Sequence, residues 1–511
     1  METGKRYMKV FRTVVVTGGA FVINYLITFF LTPYLTDRIG TEAYGFVSLA
    51  KNVANYAAYI TVILNAYAAR FISLEYFEGR MKQANIYFSS TFWGDFGVGS
   101  ILLVVGLILV RFLEHIFQIP ADIVFDVKIL FILIFAKFWL MTVLSVYNTG
   151  AYLSNHLDLT GVFKGVSYVV EAVVLFVLFR VFEARVYLVG FGLLAATFVT
   201  AGADVWICKK YTGELHPRLR DFRFPAVKEL VTNGIWSSLS SLGAILNSGL
   251  DLLVANLMIS PLAMGQIAIT ETIGSIFNSV YTIIAEAFKP LLLKSYAGKN
   301  TEKLIDELKV GVKCTGLAAN LIVAGFFAVG MVYYQLWIPH QELSVIFPLT
   351  MIVLWSKYLI AVESPLFYIY TLTLTRQISC LFTLITGVLN VLSMYVLIKF
   401  FHMGIYAVVG TTLVLQTIIH LLPHPLYMAH VLKKPWHTFY PEILRNVAAV
   451  GVMCLVFKGL SLLYMPTSWI TLILTAIVYV AIGCVIDGLI VLNRSDWKML
   501  LNRVRKILKK S

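Results

Sequence analysis

Charge is what this chain of 511 residues has least of. Asp, Glu, Lys and Arg make up 13% of it, about half the ~25% of an ordinary soluble domain, and that deficit excludes a soluble globular protein. Acids are scarcer than bases, 27 against 41. Cysteine is sparse too: Cys208, Cys314, Cys380, Cys454 and Cys484 are odd in number and scattered. No metal-type spacing links them, so they read as small packing residues of apolar helices. Enzyme signatures are missing as well. There is no GxxxxGK[ST], no HExxH, no GxSxG and no nucleotide-binding domain, so the chain is expected to be neither an ATPase nor any other enzyme. What remains is apolar: 59% of residues are hydrophobic and the mean hydropathy is +0.82.

Apolar runs of roughly 20 residues recur throughout, each able to cross a hydrocarbon core of about 30 Å. Lipid offers backbone groups no hydrogen-bond partner, so each run has to be helical. The expected fold is an all-α polytopic membrane protein of about 14 transmembrane helices. Six lie near 13–34, 43–68, 86–110, 127–148, 160–181 and 186–207. Six more lie near 232–257, 264–288, 312–336, 345–370, 378–400 and 404–428, and two near 444–464 and 469–491. The basic start (Lys5, Arg6, Lys9, Arg12) leads into a full span and reads as an uncleaved anchor. Most of the 41 Lys and Arg then fall in loops on one side, which places both termini in the cytoplasm. That asymmetry accounts for the +14 net charge without a nucleic-acid partner. The expected domains are an N-terminal lobe (1–208), a basic cytoplasmic linker (209–230), a C-terminal lobe (231–430), two further spans (431–492) and a tail (493–511). The tail interleaves Trp497, Leu500, Val504 and Leu508 with Arg503, Arg505, Lys506 and Lys509, a basic amphipathic pattern suited to anionic lipids of the inner leaflet.

The sequence states part of its design twice. At a constant offset of 220, Gly45 falls on Gly265, Ala50 on Thr270, Lys51 on Glu271 and Lys137 on Lys357. With an even number of spans in each lobe, such a repeat is parallel, about an axis along the membrane normal. A cavity at the interface of the lobes is the expected consequence, and transport the expected task.

Ionisable groups inside spans are costly and normally face a cavity or a partner. They are Lys51, Asp95, Lys137, Lys164, Glu171, Asp251, Glu271, Lys357, Glu363 and Asp487. One face of the second span carries Ser48, Lys51, Asn52, Asn55 and Tyr59; the eighth echoes it with Glu271, Ser275, Asn278, Thr282 and Glu286. The seventh is polar at Ser237, Ser238, Ser240, Ser241, Asn247, Ser248 and Asp251. Serines alone read as interhelical glue, stripes with Lys51 or Glu271 as the wall of a wet cavity. Lys137 and Lys357, each ten to twelve residues into a span by the ~1.5 Å rise, suit a two-point clamp for a diphosphate. The alternative is that each pairs with a buried acid, Asp95, Asp251 or Glu363. Lys164, near an inner helix end, shares a face with Glu171 and can snorkel. Asp487 reads as interfacial. The run HLLPHPLYMAH with His420, His424 and His430 reads as an exposed, interfacial group rather than a metal site.

The stretch TGGAFVINYLITFFLTPYLTDRIGTEAYGFVSLA, with Pro33 and a G-x-x-x-Y-G turn at Gly40, Tyr44 and Gly45, resembles the start of bacterial polysaccharide-biosynthesis flippases. WSSLSSLGAILNSGLDLLVANLM resembles their seventh span. These are the Wzx-like members of the multidrug/oligosaccharidyl-lipid/polysaccharide exporter superfamily. The resemblance covers about residues 10–430. It implies a V-shaped pair of six-helix lobes, a monomer, and outward movement of a polyprenyl-diphosphate-linked oligosaccharide across the cytoplasmic membrane by alternating access. The product would be O-antigen, capsule or exopolysaccharide, with a polysaccharide polymerase complex as partner. Fourteen spans also resemble the lipid II flippases, by which analogy the last two spans cradle a prenyl chain. No cofactor is implied; H+, Na+ or the membrane potential drives transport. The rival readings are a lipid II or wall-precursor flippase, a multidrug or cation exporter of the same fold, and a scaffold for a glycan-polymerising complex. Intramembrane lysines argue against the cation exporter.

Overall fold

The computed structural model describes residues 2–373, 375–493 and 496; at 2–15, 17, 233, 235–237, 240, 248, 290 and 376 it describes the backbone alone. Among the described residues the regular elements are helices and no strand occurs. Thirteen helices among the described residues are long and apolar enough to cross a membrane, and a bent pair raises the number to fourteen. Apart from Asn493 and Asp496, the amphipathic tail lies outside the described residues.

The chain divides into two compact units, residues 1–268 and 269–511. In the first, α1 (Glu2–Ile39) and α2 (Thr41–Phe77) meet at Gly40, whose φ of 85° suits glycine. Next come α3 (Met81–Arg111), the short α4 (Leu113–Ile116) and α5 (Val124–Leu144). A 3-10 turn at Ser145–Tyr147 breaks the fourth span before α6 (Asn148–Leu153) completes it. The helices α7 (Leu157–Val181) and α8 (Tyr187–Tyr211) follow, packed on each other and, through α7, on α1.

The loop after α8 is held against α3 by its backbone. Asn85 donates to the Glu214 carbonyl and accepts from the His216 N–H, both at 2.9 Å. Ser89 and Ser90 accept from the N–H groups of Arg218 and Arg223, both at 3.0 Å. These bonds satisfy backbone groups that would otherwise need water or secondary structure.

The seventh span differs from the single helix expected over 232–257. It is α9 (Phe224–Ala244), a π turn at Ile245–Gly249 and α10 (Asp251–Met258), with a 43° bend. A π turn inserts a residue and frees a carbonyl; the Tyr56 hydroxyl donates to the Gly249 carbonyl there.

The second unit takes most of α11 (Pro261–Ala297), then α12 (Thr301–Trp337) and α13 (Leu343–Glu363). After a 3-10 turn at Ser364–Phe367 come α14 (Tyr368–Leu372), α15 (Arg376–Phe401), α16 (Ile405–Leu421) and α17 (Pro423–Val431). The last two spans, α18 (Tyr440–Leu463) and α19 (Trp469–Ile490), pack on α12. They are anchored by buried polar groups: Asn320 of α12 donates to Asp487 of α19 at 2.8 Å and to Asn446 of α18 at 3.2 Å, and accepts from Tyr358 at 2.7 Å. Asp487 is fully buried within this cluster.

The sequence repeat reappears in the element boundaries. The helices α2 and α11 are both 37 residues long and begin at 41 and 261; α3 and α12 begin at 81 and 301. Gly45 and Gly265 touch within the first unit: a Cβ on Gly45 would stand 2.9 Å from the Gly265 Cα. Only residues without side chains let two helices approach so closely.

Candidate functional site

In the first unit, α2 and α5 pack side by side and enclose a cavity of about 320 Å³. Lys51, Asn55 and Asn65 line it from α2, and Lys137 and Thr142 from α5, joined by Ser145 at the break. Positions 51, 55, 58, 62 and 65 recur at helical spacing, so one face of α2 points into it. Neither lysine has a carboxylate within ion-pair distance among the described residues. Glu171 of α7 is within electrostatic reach of Lys137, as is Lys51. Two cations thus share one partly enclosed space.

Behind the wall sits Asp95 of α3, fully buried. The Asn65 amide donates to both of its oxygens, at 3.1 and 3.0 Å, and the Ser145 hydroxyl donates at 2.9 Å. Three helices are tied together by this carboxylate, and one of its partners stands at the break in the fourth span. Asp95 is therefore a bracing group beside the cavity rather than one of its lining groups. Asn65 and Ser145 were missed from the sequence; their polarity is ordinary, and only the convergence of three helices distinguishes them.

A second cavity of about 310 Å³ shares Met141 and Ser145 with the first. Lys164 and Thr160 line it from α7 and Thr200 and Asp204 from α8. Asp204 was also missed; it lies three residues beyond Ala201, near the basic end of its helix.

The second unit treats the equivalent positions differently. Lys357 Nζ stands 3.0 Å from Glu271 Oε2, with both side chains partly exposed. An acid partner for Lys357 was an alternative in the sequence, but the acid is Glu271, not Asp95, Asp251 or Glu363. The reason is one of reach: Glu271 is on α11 beside Gly274, whose missing side chain admits the Lys357 stem.

The remaining candidates scatter. Asn52 and Tyr59 are partly exposed on α2 and do not line the 320 Å³ cavity. Asn278 is exposed and accepts from the Tyr281 hydroxyl. In the bent seventh span, Asn247 is buried and donates to the Gly243 carbonyl at 2.8 Å, and Asp251 is buried at the start of α10. The side chains of Ser237, Ser240 and Ser248 lie outside the described residues. Glu363 is fully buried, with His420 Nδ1 2.9 Å from its Oε2. His420 and His424 are buried too, contrary to the exposed group expected, whereas His430 is exposed. Two prolines made the run look like a loop, whereas Pro423 opens α17 and packs both rings inward. His420 lies at the end of α16 and His424 at the start of α17, and their rings stack across the break between the two helices.

Comparison with known proteins places this architecture. Residues 10–295 match the family described as polysaccharide biosynthesis protein. The uncharacterized membrane protein EpsK of Bacillus subtilis (strain 168) is 25% identical over 489 residues, 95% of this chain and 96% of that protein. Among solved structures, an inward-facing multidrug resistance MATE family transporter of the MOP superfamily superposes with a TM-score of 0.59. It is 14% identical and covers 80% of this chain and 95% of its own. The lipid II flippase MurJ in an inward closed conformation gives 0.57 at 13% identity, over 93% of this chain and 99% of its own. The fold is that of these transporters, and the chain is a multi-pass protein of the bacterial cytoplasmic membrane. With more than half of its length matched, this chain belongs to the polysaccharide biosynthesis protein family.

Proposed function

We propose that the protein is a flippase that moves a polyprenyl-diphosphate-linked oligosaccharide from the inner to the outer leaflet by alternating access, for surface polysaccharide synthesis, without hydrolysing nucleotide. The observation that carries this reading is the pair Lys51 and Lys137, two cations free of carboxylate ion pairs in one cavity of a membrane-spanning unit. A diphosphate crossing hydrocarbon would lose its hydration at a cost of many kcal/mol. A lysine about 4 Å from a phosphate oxygen returns about 4 kcal/mol at an effective dielectric near 20. Asn55 and Thr142 offer neutral donors and acceptors of the kind sugars use. The neighbouring cavity with Lys164 and Asp204 gives room for further sugar units.

With the cell interior negative, outward movement of an uncompensated dianion gains about 4–5 kcal/mol per 100 mV. A cationic drug would meet repulsion at Lys51 and Lys137, which disfavours an exporter of cations. The same reading makes the protein a monomer in contact with anionic lipids and working beside a polysaccharide polymerase.

The test is reconstitution into vesicles with lipid-linked oligosaccharide on one leaflet, followed by its accessibility on the other. Lys51→Ala with Lys137→Ala is expected to abolish transfer at wild-type expression. Wild-type transfer by that double variant sinks the proposal.

A further inference from the structure

Two spans of the second unit are broken by proline, and the breaks lie side by side. In the tenth, Pro365 lacks the N–H that would bond the Ala361 carbonyl; the Ser364 backbone N–H donates there, and so does its hydroxyl, at 2.9 Å. In the twelfth, Pro425 lacks the N–H for the Leu421 carbonyl, and the Tyr440 hydroxyl of α18 donates to it at 2.6 Å. Thr315 of α12 donates to the Val362 carbonyl at 3.1 Å. Glu363 closes α13 and His420 stands one residue from the end of α16, so their contact joins the two breaks.

The contact is unequal. Glu363 Oε2 is 2.9 Å from His420 Nδ1, whereas Oε1 is buried without a hydrogen-bond partner among the described residues. Buried carboxyl oxygens are seldom left so. His420 stacks on His424 at 4.9 Å, and His424 Nδ1 is 2.6 Å from the Tyr370 hydroxyl. Tyr427 stacks on Tyr370, and Phe367 lies edge-on to both imidazoles. The titratable groups around the pair are thus His424 and Tyr427 of α17, Tyr370 of α14 and Tyr440 of α18. The ion pair Lys309–Glu442, at 3.9 Å, links α12 to α18.

We propose that Glu363 and His420 form a proton-binding site set across the breaks of the tenth and twelfth spans. With one proton between them, on His420 Nδ1, the pair is anionic. A second proton, taken from water, makes it neutral, and Oε1 is the vacant acceptor for it. A net charge sealed at this depth has no solvent to stabilise it. Gain or loss of that proton therefore accompanies a rearrangement of the two breaks that admits water. The ligand is a proton, and the site gives the second unit a titratable element distinct from the lysine cavity of the first.

The test needs no glycan, so its failure leaves the flippase reading untouched. Infrared titration of the purified full chain in detergent between pH 5 and 9 is expected to show one carboxyl band that titrates and is absent from Glu363→Gln. In His420→Asn, which keeps an N–H near the Nδ1 position, that band is expected to move its midpoint by at least one pH unit. Hydrogen–deuterium exchange, corrected for intrinsic rates, is expected to change with pH at 361–372 and 418–428 in the wild type and not in Glu363→Gln. If Glu363→Gln does not fold, His420→Asn decides alone. A carboxyl band unchanged in folded His420→Asn, or spectra of wild type and Glu363→Gln that superimpose, overturns the site. Exchange independent of pH at both breaks overturns its link to them.

Discussion

Lys357 Nζ rests 3.0 Å from Glu271 Oε2, while the residues 220 positions earlier, Lys137 and Lys51, are two cations beside one cavity. One charge sign at one position separates the halves of the repeat. In the second unit the lysine is spent on a partner, and in the first it is left for something else.

Replacing Lys51 by Glu should recreate in the first unit the pairing found in the second. Lys51→Glu is expected to melt at or above the wild-type temperature, because a like-charge contact becomes an attractive one. Transfer of lipid-linked oligosaccharide should fall about 10–100-fold, the worth of a charge-assisted contact of ~1.5–3 kcal/mol. The mirror change Glu271→Lys should lower stability by about 1–2 kcal/mol, the pair being only partly screened by exposure. A thermal melt and a vesicle assay on the same preparations check both.

The contact of Gly45 with Gly265 gives a second expectation. A Cβ on Gly45 meets the Gly265 backbone at 2.9 Å, and one on Gly265 meets the Thr41 backbone. Neither obstacle is the movable end of a side chain, so Gly45→Ala and Gly265→Ala should each cost about 1–3 kcal/mol. Gly202, with nothing within 4 Å, is the control. Gly202→Ala should be neutral or gain up to ~1 kcal/mol from helix propensity. Thermal unfolding in one detergent ranks the three.

The spans and the repeat were legible because both are written in the spacing of apolar residues. The 220-residue offset survives as two 37-residue helices. The use of each charge was not legible. Lys137 and Lys357 occupy matching positions and look alike in sequence; only the identity of residue 51 or 271, on another helix, decides whether the lysine is paired. Asp487 was placed by its distance from a helix end, which says nothing about α12 lying across it. His420 and His424 were masked by Pro423 and Pro425, residues that mark loops in water but breaks within spans in a membrane protein. The bend in the seventh span follows from a π turn whose freed carbonyl is satisfied by Tyr56 of another helix, and no local pattern announces that.

Asp95 should prove a brace rather than a ligand. Its two neighbours, Asn65 and Ser145, both line the cavity, so its loss is felt there indirectly. Asp95→Asn keeps the shape and is expected to retain most of the stability, losing about 1 kcal/mol as one donor faces another. Asp95→Ala leaves the Asn65 amide and the Ser145 hydroxyl without their shared acceptor and should cost about 2–4 kcal/mol. If Asp95 contacted the substrate directly, transfer would fall in both variants without a matching change in melting temperature. The two quantities should instead fall together.

The last two spans share one buried polar cluster with α12, and its failure should be local. Asn320 holds Asp487 and Asn446 at once, and Gly316, one turn away, makes the room: a Cβ there would collide with the Asn446 amide. Asn320→Leu removes both bonds and leaves Asp487, already with one oxygen unpartnered among the described residues, with none from that helix. A cost of about 3–5 kcal/mol is expected, the range for stranding a buried charge. Because α18 and α19 meet the rest of the unit mainly through α12, the loss should be confined to them. Limited proteolysis should cut first in the loop at 432–439, releasing a fragment that carries both spans, while the chain before it stays intact. Asp487→Asn in the same background removes the stranded charge and should restore part of the resistance. Cleavage spread evenly over the loops of both units would show instead that the cluster supports the whole fold.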